Sequence, residues 1–212
     1  SAPGAWASRI DGIAILQVAG LLGLALASRV LIYAGVENVL HAEDAIQGLI
    51  ANHIREGELQ LFTYGLPYLG TLQAHWIALC FALFGSTTAV LKWAAGVASL
   101  LLVVANYLLA REAAGGERSA GFLAGLLTAL GPLYLIEWSL RPRGGYLDVV
   151  TLSAFALWAF FKALHAARNA QRERCAAAWL ALCGLLLGLG LWVHLTMFYT
   201  IGVCLVGLVV WG

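Results

Sequence analysis

Charged side chains are scarce in this chain, at 11% of its 212 residues, whereas a soluble domain carries about 25%. Hydrophobic residues make up 62%, which excludes a soluble globular domain and predicts a protein surrounded by membrane lipids. The formal net charge at pH 7 is only +1. We do not expect so neutral a chain to bind nucleic acid, because such binding depends on neutralising phosphates.

Three further features are not found in the sequence: a signal-peptide cleavage site, an internal repeat and metal-like cysteine spacing. The first apolar run, at about 13–35, lacks a clean small-residue cleavage site and is too long for a signal-peptide core, so we expect it to remain as an anchor. No internal repeat is evident, which counts against a transporter built from two repeated halves. The cysteines show no metal-like spacing and lie in apolar runs, which favours buried hydrophobic roles. They are Cys80, Cys175, Cys183 and Cys204.

Several apolar runs are long enough, at about 17–25 residues, to cross a bilayer as helices. We therefore predict an all-α fold, a polytopic transmembrane helical bundle. The third run contains Pro132, which a membrane helix tolerates when neighbours or water satisfy the freed carbonyl. The last two runs are short and meet near His194, so they form either a tight hairpin or a pair that does not fully span. The predicted membrane helices are at about 13–35, 88–110, 120–140, 147–164, 176–192 and 196–211.

The segment 72–84 is apolar but only about 13 residues long, which suits an interfacial or re-entrant helix better than a span. If it does not cross, seven basic residues fall on one side of the membrane, and the positive-inside rule makes that side cytoplasmic. The external loop 36–87, the loop 141–146 and the turn at His194 then face outward together. The seven residues are Arg9, Arg111, Arg118, Lys162, Arg168, Arg172 and Arg174.

The external loop contains the sequence EDAIQGLIANHIREGELQ at 43–60. Its apolar residues recur at helical spacing, which predicts an interfacial helix lying on the membrane surface. Glu43 and Asp44 lie in the first turn of this helix. Two interpretations stay open: the acids complement the helix dipole, or they act chemically, as a general base or as ligands of magnesium or manganese. His41 could join such a metal site.

Two further groups of polar residues belong to the outward-facing loops. Tyr64 and Tyr68 offer hydroxyls beside apolar rings, which suit a sugar or a lipid–water boundary equally, and His75 could line the same cleft. In the loop 141–146, Arg141 and Arg143 can hold phosphate in a bidentate fork. The alternative is that these arginines bind the phosphates of membrane lipids.

The order and spacing of these segments resemble the GT-C class of polytopic glycosyltransferases. The resemblance is to the bacterial relatives of protein O-mannosyltransferases and aminoarabinose lipid A transferases, and it covers the chain from about residue 10 onward. It implies that the single transmembrane domain 1–212 is the amino-terminal part of a longer protein. The segments that carry it are 43–45, 48–54, 64–70, 81–85, 143–146 and 192–194.

The resemblance also implies an activity, namely inverting transfer of a sugar from a polyprenyl-phosphate donor to a lipid, glycan or protein acceptor. The reaction would take place on the outer face of the bacterial cytoplasmic membrane. Asp44 or Glu43 would deprotonate the acceptor or organise a metal, and Arg141 or Arg143 would stabilise the leaving phosphate, where negative charge develops. The other implied substrate-binding residues are Tyr64, Tyr68, His75, Tyr146 and His194.

Two other classes of function remain as alternatives. One is a transporter or flippase of a lipid-linked or small polar substrate, and the other is a non-catalytic membrane assembly subunit. Transporters place ionisable residues near the middle of the membrane, whereas Arg29, Lys92 and Glu137 lie near the ends of the predicted helices. The sequence therefore favours the glycosyltransferase.

Overall fold

The computed structural model describes residues 11–168 and 173–211. The structure is 79% helical, which confirms the predicted all-α class. One short antiparallel hairpin joins the second and third helices. In chain order the elements are α1 Gly12–Val36, α2 Ala42–Arg55, β1 Phe62–Thr63, β2 Leu66–Gly70, α3 Leu72–Phe84, α4 Thr88–Ala113, α5 Arg118–Ala129, α6 Leu133–Ser139, α7 Tyr146–Ala167, α8 Glu173–Val193 and α9 Met197–Trp211.

Four of these helices, α1, α4, α7 and α8, are long and apolar enough to cross a membrane. The shortest of them, α8, has 21 residues and rises about 32 Å at 1.5 Å per residue, which matches a hydrocarbon core of about 30 Å. They coincide with four of the predicted spans. The last helix, α9, has 15 residues and is too short to cross alone.

The prediction of one continuous helix at 120–140 is wrong. This segment forms two helices, α5 and α6, whose axes differ by 79° across the break at residues 130–132. Pro132 has no amide hydrogen and disfavours helical backbone at the residue before it. Because α5 ends at Ala129, the carbonyl oxygen of this residue has no partner within the helix. It accepts hydrogen bonds from Ser28 Oγ and Arg29 Nη1 of α1, each at 3.2 Å. The positive charge of Arg29 also suits the carboxyl end of α5.

The helix α3 is too short to cross alone, which agrees with the predicted interfacial or re-entrant segment. Its 13 residues span about 20 Å, which is less than the hydrocarbon core. Gln73, at its start, accepts a hydrogen bond from the amide of Gly144 at 2.9 Å. Lys92, early in the following helix α4, approaches Asp44 of α2. Both ends of α3 therefore lie at one end of the bundle, together with the start of α2 and the loop after α6.

The opposite end of the bundle gathers the basic residues predicted to share one side. Asp11 accepts hydrogen bonds from Arg111 and Arg118 at 2.8 Å each. Glu112 pairs with Lys162 at 2.8 Å. The contacts therefore support one basic end and one end that carries the candidate site. Two residues of the predicted basic set, Arg9 and Arg172, lie outside the described residues.

Gly121 lies at a close contact between two helices, whereas Gly184 has open space around it. A Cβ atom added at Gly121 of α5 would lie 2.9 Å from the backbone oxygen of Tyr107 in α4. A Cβ atom at Gly184 of α8 would meet nothing within 4 Å.

The cysteines are free, and three of them are buried as expected, whereas Cys175 is exposed.

The different surroundings of Gly121 and Gly184 give a stability test. Gly121→Ala should lower the free energy of unfolding by about 1–3 kcal/mol, the usual cost of overpacking, because the backbone of α4 must shift. Gly184→Ala is the matched control and should leave stability unchanged or raise it by up to about 1 kcal/mol, since alanine is the better helix former. Thermal unfolding in detergent, followed by circular dichroism, measures both variants. Equal melting temperatures would contradict the close packing of α4 and α5.

Candidate functional site

The first turn of α2 carries the two acidic residues, and the structure gives them different surroundings. Asp44 is fully buried, and its Oδ2 atom accepts a hydrogen bond from the backbone amide of His41 at 3.2 Å. This contact caps the amino end of α2, so the dipole interpretation accounts for part of its role. The Glu43 side chain is 58% exposed and lies 3.1 Å from Arg143 Nε. The two carboxylates therefore are not equivalent.

Asp44 lies between two buried cations. Lys92 Nζ is 3.9 Å from Asp44 Oδ2, and both side chains are completely buried. Arg141 Nε is 3.8 Å from Asp44 Oδ1. A buried carboxylate without a nearby positive charge is strongly disfavoured, so these two cations offset the burial of Asp44. The Lys92 ammonium also donates a 2.7 Å hydrogen bond to the Val39 carbonyl, which ties the loop before α2 to α4.

Three buried polar atoms in this region make no hydrogen bond within the described part of the chain: Asp44 Oδ1, Gln47 Oε1 and Arg141 Nε. Buried polar groups are nearly always paired, and an unsatisfied one costs about 1–3 kcal/mol. The set contains two acceptors and one donor, which are available to hydrogen-bond a substrate.

The loop between α6 and α7 brings its arginines to α2 through two glycines. Gly144 and Gly145 have φ of 78° and 89°, which side-chain-bearing residues rarely adopt. A Cβ atom at Gly144 would lie 2.7 Å from Gln47 Nε2 and 2.9 Å from Leu69 Cδ2, so a side chain there would displace these neighbours as well as strain the backbone. The Arg143 guanidinium lies 4.3 Å from the centre of the Trp138 ring, which adds a cation–π contact.

A second cluster consists of three rings from separate segments. His194 follows α8 and lies 4.9 Å from the ring of Tyr146 at the start of α7. The Tyr68 ring of the hairpin is 6.2 Å from the same histidine, and Leu69 forms a β-bridge with His194. The three segments predicted to face outward therefore meet. Gly144 and Gly145 connect this cluster to the paired charges.

Two sequence-predicted site residues lie apart from both clusters. The Tyr64 hydroxyl makes a hydrogen bond with His53 on α2. Partial burial raises the pKa of Tyr64, and the Glu58 carboxylate adds to the increase. The Nδ1 atom of His75 donates a hydrogen bond to the Thr71 carbonyl at 2.8 Å. Its neighbour Gln73, rather than His75, contacts the loop that carries the arginines.

Two cavities border the paired charges. The larger, of about 590 Å³, lies among α4, α5, α6 and α7 and is mostly apolar. Arg141, Arg143 and Tyr146 contribute polar atoms to its wall. The smaller cavity, of about 180 Å³, is bordered by His41, Lys92, Glu137 and Arg141 and by residues 35, 36 and 39. Arg141 therefore borders both cavities, while Lys92 borders only the smaller one.

The metal site predicted from His41, Glu43 and Asp44 does not match these surroundings. Within residues 11–168 and 173–211, no three His, Cys, Asp or Glu side chains are grouped to hold a metal. Asp44 faces two buried cations, so a divalent ion beside it would enter a region that is already positive. The side chains as arranged do not fit a magnesium or manganese ion.

Sequence reasoning missed two residues of this site, Lys92 and Gln47. Lys92 could have been identified from the sequence, because an ionisable residue within a membrane helix is by default a candidate for function. Gln47 follows Asp44 by three positions and so lies on the same face of α2. Glu137, near the end of α6, borders the small cavity.

Comparison with known proteins places most of the chain in a family. The chain has no significant match among curated proteins or among solved structures. Residues 50–211 match the family model described as Oligosaccharyl transferase STT3, N-terminal, and they make up about three quarters of the chain. This match supports the GT-C resemblance but not the mannosyltransferase or lipid A transferase type. The chain belongs to the STT3 oligosaccharyl transferase family, a GT-C family of membrane glycosyltransferases.

Proposed function

We propose that this chain transfers a sugar from a polyprenyl-phosphate donor to a lipid, glycan or protein acceptor. One observation carries the proposal: Asp44 and Arg141 form a buried pair beside a large apolar cavity. A carboxylate that can take up a proton and a guanidinium that can bind phosphate are the two groups this chemistry needs. Family membership supports transferase activity, and the choice of donor and acceptor is our own inference.

The large cavity suits the lipid part of such a donor. Its wall is mostly apolar, with residues such as Leu102, Leu127 and Val150, while Arg141 and Arg143 supply positive charge. A polyprenyl chain would occupy the apolar volume and present its phosphate to these arginines. Negative charge builds up on the phosphate as the bond to the sugar breaks, so fixed guanidinium groups there stabilise the transition state.

Asp44 is the better candidate for the general base. Its Oδ1 atom has no hydrogen-bond donor among the described residues and faces Arg141. In the reaction the acceptor oxygen or nitrogen attacks the anomeric carbon and gives its proton to this carboxylate. The bond between the anomeric carbon and the phosphate oxygen breaks, and its electron pair leaves with the phosphate. Glu43, exposed and paired with Arg143, would instead hold that arginine in place.

We infer the orientation from the charges at the two ends. Arg111, Arg118 and Lys162 lie at the end opposite the site, so the positive-inside rule favours the outer face of the cytoplasmic membrane for the site. The cluster of Tyr68, Tyr146 and His194 lies beside the paired charges. Its rings and hydroxyls suit contact with a sugar or with the acceptor.

The base assignment is tested by two isosteric substitutions in the full-length protein. Asp44→Asn should lower kcat by about 10²–10⁴-fold, the usual contribution of a general base, and Glu43→Gln should lower it by about tenfold or less because its ion pair is exposed. Glu58→Gln, an exposed acid of the same loop, is the matched control. Transfer from polyprenyl-phosphate donors bearing one sugar or an oligosaccharide is measured in membranes.

Undiminished transfer by Asp44→Asn would remove Asp44 as the base. A protein that transfers no sugar to any acceptor, but moves lipid-linked sugar across proteoliposome membranes, would instead be the flippase considered above. Transfer from only one donor type would decide between a single sugar, which the resemblance to protein O-mannosyltransferases favours, and an oligosaccharide.

Metal dependence gives a separate prediction. We propose that Lys92 and Arg141 neutralise Asp44 in place of magnesium or manganese, because both cations already lie within 4 Å of its oxygens. Sugar transfer should therefore persist, within about twofold, after dialysis against EDTA, since no bound ion contributes charge stabilisation. A loss of transfer that manganese restores would support the site predicted from His41, Glu43 and Asp44.

A further inference from the structure

The two cations beside Asp44 differ in what else they can reach. Arg141 borders the large apolar cavity as well as the small polar one, and its Nε atom makes no hydrogen bond among the described residues. Lys92 borders only the small cavity. Its ammonium is fixed by the Val39 carbonyl at 2.7 Å. Arg141 is therefore placed to meet a donor phosphate, whereas Lys92 is held behind Asp44.

This difference has an electrostatic consequence for donor binding. Arg141 can turn from Asp44 toward a phosphate only if the carboxylate keeps another counter-charge. A buried carboxylate that loses its last cation is strongly destabilised, because little solvent is present to replace it. Asp44 is completely buried, so Arg141 alone would be held by Asp44 and unavailable to the donor.

We propose that Lys92 is the resident counter-cation of Asp44 and thereby releases Arg141 to bind the donor phosphate. It is a positioning residue, since it borders neither the donor cavity nor the reacting atoms. The inference rests on the proposed function and gives the two cations separate roles: Lys92 balances the charge of Asp44, and Arg141 binds the phosphate. The alternative is a plain structural role, in which the Lys92–Asp44 pair only fastens α2 to α4.

The test measures binding of polyprenyl monophosphate, without a sugar, to the full-length protein in nanodiscs. Lys92→Met should raise the Kd by about tenfold or more, because Asp44 then retains Arg141. Lys92→Arg should keep the Kd within about threefold of wild type, because the charge remains. Adding Asp44→Asn to Lys92→Met should restore binding, because nothing then holds Arg141.

Lys162→Met is the matched control, since Lys162 also pairs with a carboxylate, that of Glu112, but at the end of the bundle opposite the site. It should leave the Kd unchanged. If Lys92→Met lowers the melting temperature with an unchanged Kd, Lys92 is purely structural and the inference is overturned. A double variant that binds as weakly as Lys92→Met also overturns it.

The outcome for the wild type separates this inference from the proposed function. Failure of the wild-type protein to bind polyprenyl monophosphate would overturn the proposed donor, and the inference with it. Normal wild-type binding with no effect of Lys92→Met would overturn only the role of Lys92. Should Lys92→Met fail to fold, Lys92→Arg and the double variant still give the comparison, because a weakened Kd in either would contradict the proposal.

Discussion

The buried charge of Asp44 is the constraint around which the site end of the bundle is arranged. A carboxylate away from water needs positive charge nearby, and here Lys92 of α4 and Arg141 after α6 supply it. Because the two cations come from different segments, they bring α4 and the loop after α6 to the start of α2. The interaction that stabilises one carboxylate thus also assembles the site.

The break between α5 and α6 makes this assembly possible. A straight helix over residues 120–140 would continue in the direction of α5, whereas the 79° bend between α5 and α6 redirects the chain before Arg141. The freed carbonyl of Ala129 is satisfied from α1 by Ser28 and Arg29, so the irregular backbone is tolerated at membrane depth. Gly144 then permits the close approach to Gln47.

Much of the fold could be predicted from local sequence. The runs that became α1, α4, α7 and α8 were evident because length and hydropathy suffice to identify a span. The short length of α3 likewise predicted a helix that does not cross. The break at Pro132 was not predicted, because proline is compatible with a continuous membrane helix when neighbours compensate. Which neighbours are present depends on packing against α1.

The sequence by itself determined the class of protein, the spans and the segments that carry polar residues to one end, since these follow from composition and spacing. It also brought forward Glu43, Asp44, Arg141 and Arg143 as the charges of interest. Only the tertiary structure decided that Asp44 is buried, that Glu43 is exposed and that Lys92 joins the site. The physical reason is that burial and charge pairing depend on how distant segments pack, and no local pattern contains that information.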